Sequence, residues 1–431
     1  MTKSNNIRKK IFERVGKRIS FLFPLGIIII ALFVSFSTPE KNQIFVDNLA
    51  QKWVGTWSTA PQLVEPRNMP PEPGLTNNTL RQIVCISIGG QELRMKFSNE
   101  FSNSPVEMKS VQIAVSKDSS AIDASTNKIL KFQEEESVTI QPGKAIYSDP
   151  FSFNLDPRMN LAITIVYGKI PSDVTGHPGS RTTSFLLKGK HTSPEANFAD
   201  AVKTEHWYTI SGIEVKAKKP AAAVAILGNS ITDGRGSGTN KQDRWPDILA
   251  KQLLKNPKTE NIGVLNMGIG GNAVLRGGLG PTALDRFNRD ILQQQGVQWL
   301  IIMEGVNDLG ATADSTAAFK VADGLISAYK KMIAEAHKQE IKVYGATITP
   351  IKKSFYYMDY REDARQKIND WIRNSGAFDA VIDFDKEIRN PEEPLTILPD
   401  AQSGDYLHPN EKGYEMMGKA VDLSLFENGK K

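Results

Sequence analysis

The feature that most constrains how this chain folds is a change of hydrophobic period near residues 218–220. Before it, apolar and charged residues alternate at period two, as in Glu92-Leu93-Arg94-Met95-Lys96-Phe97. The apolar run 80–88 stops at Gly89-Gly90, and similar short runs lie at 106–115, 138–140, 151–155, 161–166 and 208–215. Short strands separated by turn residues predict an all-β sandwich, jelly-roll-like, over 52–218. After it, apolar runs at 221–227, 263–267, 299–303, 341–347 and 380–384 alternate with helical stretches at 245–254, 284–293, 315–337, 360–375 and 410–425. Strand–helix repetition predicts a parallel sheet covered on both faces, so 219–431 is expected to form a flavodoxin-like three-layer α/β/α domain.

Charge narrows the partners. Of 53 basic and 48 acidic residues, seven basic and one acidic fall in 1–37, which leaves 46 against 47. The remainder is near neutral, and no nucleic-acid footprint is expected. The basic stretch precedes an apolar run at 21–36, and Ser35 and Ser37 supply small residues for a cut after Ser37. That pattern predicts a signal peptide over 1–37 and a periplasmic or extracellular protein. The alternative is an uncleaved anchor, the one way in which the chain is expected to touch a membrane. Cys85 is the sole cysteine, which excludes both an intramolecular disulfide and a lipoprotein anchor downstream of the apolar run. Within its strand-like run it reads as a small buried hydrophobe.

Four short segments follow the apolar runs of the second half. Gly228-Asn229-Ser230-Ile231-Thr232-Asp233-Gly234 comes first, and Asn266 to Asn272, with Gly270-Gly271, second. Gly305-Val306-Asn307-Asp308 and Asp405-Tyr406-Leu407-His408-Pro409-Asn410 complete the set. Each alone is compatible with turn or cap chemistry. In this order, across 221–425, they resemble the blocks of the SGNH (GDSL-type) esterase and acylhydrolase family, with Asn229 where Asp is typical and Ile231 where Leu is typical. Trp53-Val54-Gly55-Thr56-Trp57, Arg244-Trp245-Pro246-Asp247 and the strand end 344–350 resemble an exported branch in which a β-sandwich precedes the catalytic domain. Some members of that branch are associated with xylan-degrading systems.

The resemblance implies Ser230 as nucleophile, His408 as base and Asp405 as the group that orients it. It further implies Ser230, Gly271 and Asn307 as the oxyanion hole. Pro409 is expected at the first position of the last helix. The other histidines (His177, His191, His206 and His337) have no comparable setting. No cofactor and no metal are expected, because HExxH, paired cysteines and a P-loop lysine are all missing from the sequence. Expected partners are small-molecule or polysaccharide esters, most simply O-acetyl groups on carbohydrate. The polar, glycine-rich stretch 234–240 reads as a rim, and Tyr356, Tyr357 and Tyr360 as either an aromatic wall for a sugar or ordinary packing. A lipase or phospholipase-type acylhydrolase is the alternative within this chemistry. A non-catalytic carbohydrate-binding envelope protein is the alternative outside it.

Overall fold

The computed structural model describes residues 52–194, 198–217 and 221–427. The segment 1–37 and the junction at 218–220 lie outside the described residues. Among the described residues, no helix is long and apolar enough to cross a membrane.

The N-terminal region is all-β. One sheet runs Trp53–Ser58, Ile210–Lys216, Gly90–Asn99, Lys144–Tyr147, with Phe151–Leu155 also paired to Gly90–Asn99. A larger sheet is centred on Thr79–Cys85, Asn160–Tyr167 and Val106–Val115, all antiparallel. Period two explains why the sheets stack. Leu93, Met95 and Phe97 are fully buried and share a core with Val111, Ile113, Leu161, Ile163 and Ile165. The intervening Arg94 faces outward, sits 4.6 Å from the Trp53 ring centroid, and pairs with Glu214 on the neighbouring strand.

The C-terminal region holds five parallel strands. Their spatial order is Ile262–Gly268, Ala222–Gly228, Val297–Met303, Lys342–Ala346, Ala380–Ile382. The chain therefore reverses direction across the sheet at Ala222–Gly228, where open α/β sheets form a crevice beyond their carboxyl ends. Alternate residues of that strand face opposite layers. Val224 and Ile226 pack with Trp245, Leu249, Tyr414 and Met417. Ala223, Ala225 and Leu227 face the layer that contains Leu325, Tyr329 and Met332 of the helix Ser315–His337.

That second layer is shared with the β region. Val54 and Trp57 belong to the same core as Leu265 and Met267. Gly55 donates its N–H to Gln295 O at 2.9 Å, and Val264 donates to Ser87 Oγ at 3.0 Å. A Cβ on Gly263 would collide with Gly55 O, so glycine is required at that crossing. Cys85 lies near this seam, buried as expected, and burial pushes its thiol pKa up.

Two predicted helices differ in detail. The stretch 284–293 is an α-helix over Ala283–Phe287 that widens into a π turn over Asn288–Leu292. The last helix stops at Ala420, because Val421 leaves helical geometry and Asp422 caps a separate 3-10 turn, Leu423–Phe426. Pro409 precedes that helix rather than opening it. Asn410 is the N-cap, and its side chain accepts from Gly413 N–H.

Candidate active site

Ser230 stands where the Ala222–Gly228 strand gives way to a single helical turn, Ser230–Asp233. The Asn229 side chain caps that turn by accepting from Ile231 N–H at 3.1 Å. Gly234 closes it in the left-handed conformation, φ 99°, where a side chain would be strained. A Cβ on Gly228 would run into the Thr232 side chain. The serine is thus held at the crevice by its immediate neighbours.

Asp405 and His408 come from the loop before the last helix. One Asp405 oxygen accepts the N–H groups of Leu407 and His408 at 3.0 and 2.9 Å, which folds the loop into a turn. The other oxygen lies 2.7 Å from His408 Nδ1. With Nδ1–H donating to the carboxylate, Nε2 keeps its lone pair, and Ser230 Oγ lies 2.9 Å from it. Burial lowers the His408 pKa most, Asp405 works against it, and Arg235 and Arg181 lower it further. Burial alone would raise the Asp405 carboxyl, but the hydrogen bonds from His408 and Leu407 together hold it below its ordinary value. The result is a neutral imidazole beside a hydroxyl, backed by a carboxylate.

Gly271 and Asn307 line the same cavity as Ser230 and His408. Gly271 has φ 71°, and among the described residues neither its N–H nor that of Ser230 has a hydrogen-bond partner. Asn307 lies in the first turn of a short helix, Val306–Gly310, and is buried. Its Nδ2 donates one hydrogen to Asn272 O at 2.7 Å, which leaves a second hydrogen on the same nitrogen. The Tyr356 hydroxyl donates to Asn307 Oδ1 at 2.9 Å. That contact fixes which way round the amide sits. Tyr356 therefore meets Asn307, while Tyr357 bonds to Asp359 and Tyr360 to Thr312 O.

The cavity, about 320 Å³, has a second wall from the β region, which includes Glu65, Arg67, Gly179, Arg181 and His206. Asp233, on the turn that carries Ser230, ties the walls together. Its Oδ1 lies 2.9 Å from His177 Nε2, and its Oδ2 accepts from Arg181 at 3.2 Å. Burial works to raise this carboxyl, yet His177 and Arg181 hold it below its ordinary value.

Residues 226–416 match the model of the GDSL-like Lipase/Acylhydrolase family. Residues 226–416 form a GDSL-like lipase/acylhydrolase domain. Its matched span includes Ser230, Gly271, Asn307, Asp405 and His408, while the β region lies outside it. Similar solved structures include a member of the lipolytic G-D-S-L family from Veillonella parvula (22% identity, 48% of this chain and all of that one, TM-score 0.34). A GDSL-like lipase from Bacteroides thetaiotaomicron (20%, 47% and 87%, 0.33) and an acetyl xylan esterase (22%, 46% and 96%, 0.34) are others. No curated protein matches the chain.

The predicted Ser230, Gly271, Asn307 and His408 meet at this cavity, with Asp405 behind His408, whereas Leu279, the role of Asp233 and the contact of Tyr356 with Asn307 have no counterpart among the expectations. The β-region wall has none either. His177, set aside as lacking a setting, is buried between Ala60 O and Asp233. Its partner lies 56 positions away, on the far side of the change of period, so no local spacing could signal the pair.

Proposed function

We propose that the protein is a serine carboxylic-ester hydrolase that works through an acyl-enzyme on Ser230, with O-acetyl groups on carbohydrate as its substrate. The observation that carries this reading is the continuous chain Ser230 Oγ, His408 Nε2, His408 Nδ1, Asp405 Oδ2, with links of 2.9 and 2.7 Å. In this mechanism Oγ attacks the carbonyl carbon while its proton passes to His408 Nε2. Asp405 stabilises the imidazolium and keeps the ring in place. Negative charge grows on the carbonyl oxygen and is met by the Ser230 and Gly271 N–H groups and the second hydrogen of Asn307 Nδ2. The imidazolium then protonates the departing alcohol, and water repeats the sequence to release the acid.

A fluorophosphonate tests the nucleophile directly. It should label one residue, and peptide mass mapping should place the adduct on Ser230. An adduct elsewhere, with turnover retained in Ser230→Ala, would remove the mechanism.

Polar lining favours a sugar ester: Gln62, Asn68, Arg181, Arg235 and His206 all reach the cavity. One observation favours longer acyl groups. Leu63, Val64, Phe101, Leu279 and Pro281 form an apolar groove that shares Leu279 and Glu65 with the cavity. Each methylene buried there would contribute about 0.8 kcal/mol. A p-nitrophenyl ester series from C2 to C12 separates the two: kcat/KM highest at C2 to C4 fits the acetylesterase, and a peak at C8 or longer fits a lipase. We further propose export. The apolar run 21–36 after its basic flank supports it, and N-terminal sequencing of the mature protein should begin near Thr38.

A further inference from the structure

We propose that the ester substrate carries an anionic group, a carboxylate or a phosphate, and that Arg67, Arg181 and Arg235 receive it. The inference rests on the esterase reading and narrows the substrate it acts upon.

Five charged side chains other than histidine line the cavity: three arginines and the carboxylates of Glu65 and Asp233. The carboxylates are already engaged. Glu65 accepts from Gln62 Nε2 at 2.7 Å and from Asn68 Nδ2 at 2.8 Å. Asp233 is held by His177 and Arg181 and is almost completely buried. The arginines keep spare donors. Arg67 and Arg235 are exposed, and among the described residues neither guanidinium has a hydrogen-bond or ion-pair partner. Arg181 uses one nitrogen on Asp233, while its Nε is buried with no partner. A buried donor left unpaired costs free energy, so a bound acceptor there would be favoured.

The chemistry of the donors selects the ligand. A guanidinium offers a planar fork that matches two oxygens of a carboxylate or phosphate, and charge-assisted bonds of that kind are about twice as strong as neutral ones. Neutral sugar hydroxyls would use the same donors without meeting their charge. Arg181 and Arg235 also act on His408 through space. The anion would therefore sit within electrostatic reach of the base, beside the scissile ester rather than at a remote subsite.

The test compares three O-acetylated methyl glycosides that differ at C6: galactose, galacturonic acid and galactose 6-phosphate. With the full chain, kcat/KM for at least one anionic ester should exceed that for the neutral ester by about tenfold or more. The anion that gains more identifies whether the group is a carboxylate or a phosphate. Arg67→Gln and Arg235→Gln should each pull the anionic-to-neutral ratio towards one, and 0.5 M NaCl should do the same to the wild type. Comparable rates on all three esters, unaffected by either substitution, would overturn the inference and leave the esterase standing. If no ester is hydrolysed, p-nitrophenyl acetate included, both fall together.

Discussion

On the α/β side of the cavity, Ser230 and His408 are each set by neighbours close in the chain; on the β side, His177 and Arg181 are held by a partner far along it, and Glu65 alone is held locally, by Gln62 and Asn68. Asp405 reaches His408 across three positions, and Asn229 caps the turn that begins with Ser230. His177 reaches Asp233 across 56, and Arg181 reaches it across 52. Local construction suits chemistry, where a small displacement of a nucleophile is costly. Assembly from distant loops suits selection, because those loops can vary without disturbing the reacting atoms.

The comparison breaks most visibly if the α/β wall is damaged. Ser230→Ala and His408→Ala should each lower kcat by about four orders of magnitude or more, since the two act as a unit. The double variant should be no worse than either single one, measured as steady-state hydrolysis of p-nitrophenyl acetate.

A smaller loss is expected from the oxyanion side. Asn307→Ala should cost about a hundredfold in kcat with KM little changed. Tyr356→Phe removes only the bond that orients Asn307, so its loss in kcat should be a fraction of that, about fivefold. Loss of KM alone in the tyrosine variant would instead place Tyr356 against the substrate.

Damage to the seam should appear as stability. His177→Ala takes one partner from a buried carboxylate, and breaking such a pair costs about 3 kcal/mol. The melting temperature should fall clearly. Residual activity at 20 °C should keep the acyl-chain preference of the wild type.

pH sharpens the contrast with the smallest effects. Because His408 is held below its ordinary pKa, the acid limb of kcat/KM should fall below pH 6.5, the limb of an unperturbed imidazole. Glu304 lies beneath the same wall, wholly buried, and burial raises its carboxyl from 4.5 to about 8 despite Arg286 at 3.5 Å. The folded state then binds a proton that the unfolded state has released. Its stabilisation is full below about pH 4.5 and is lost as pH rises through about 8. Glu304→Gln should flatten that decline in urea unfolding between pH 6 and 9. An unchanged slope would show that the group stays ionised.

The legibility of each wall followed from the same difference. The run 221–227 read as a strand, and the helix predicted over 315–337 is found as Ser315–His337. Apolar period is a local property. Asp-x-x-His and the turn after the strand are local too, which is why Ser230, Asp405 and His408 could be picked out and are found together. The end of the last helix was missed because Val421 and Asp422 break it by backbone preference and capping, while the apolar pattern runs on to Leu425. Glu65, Arg67 and Arg181 carried no signal, since their meaning comes from the cavity on which they converge.

The crossing of Gly55 over Gly263 has a consequence on the ribosome. The β region closes when Ile210–Lys216 pairs with Trp53–Ser58, so every strand of its sheets precedes the first strand of the parallel sheet. The surface that will meet Leu265 through Gly55, and Gly296 through Val54, must then wait. At roughly 5–20 residues per second, the next 80 or so residues take about 4–16 seconds to emerge. A β region that folds as it emerges leaves this apolar seam uncovered for that interval.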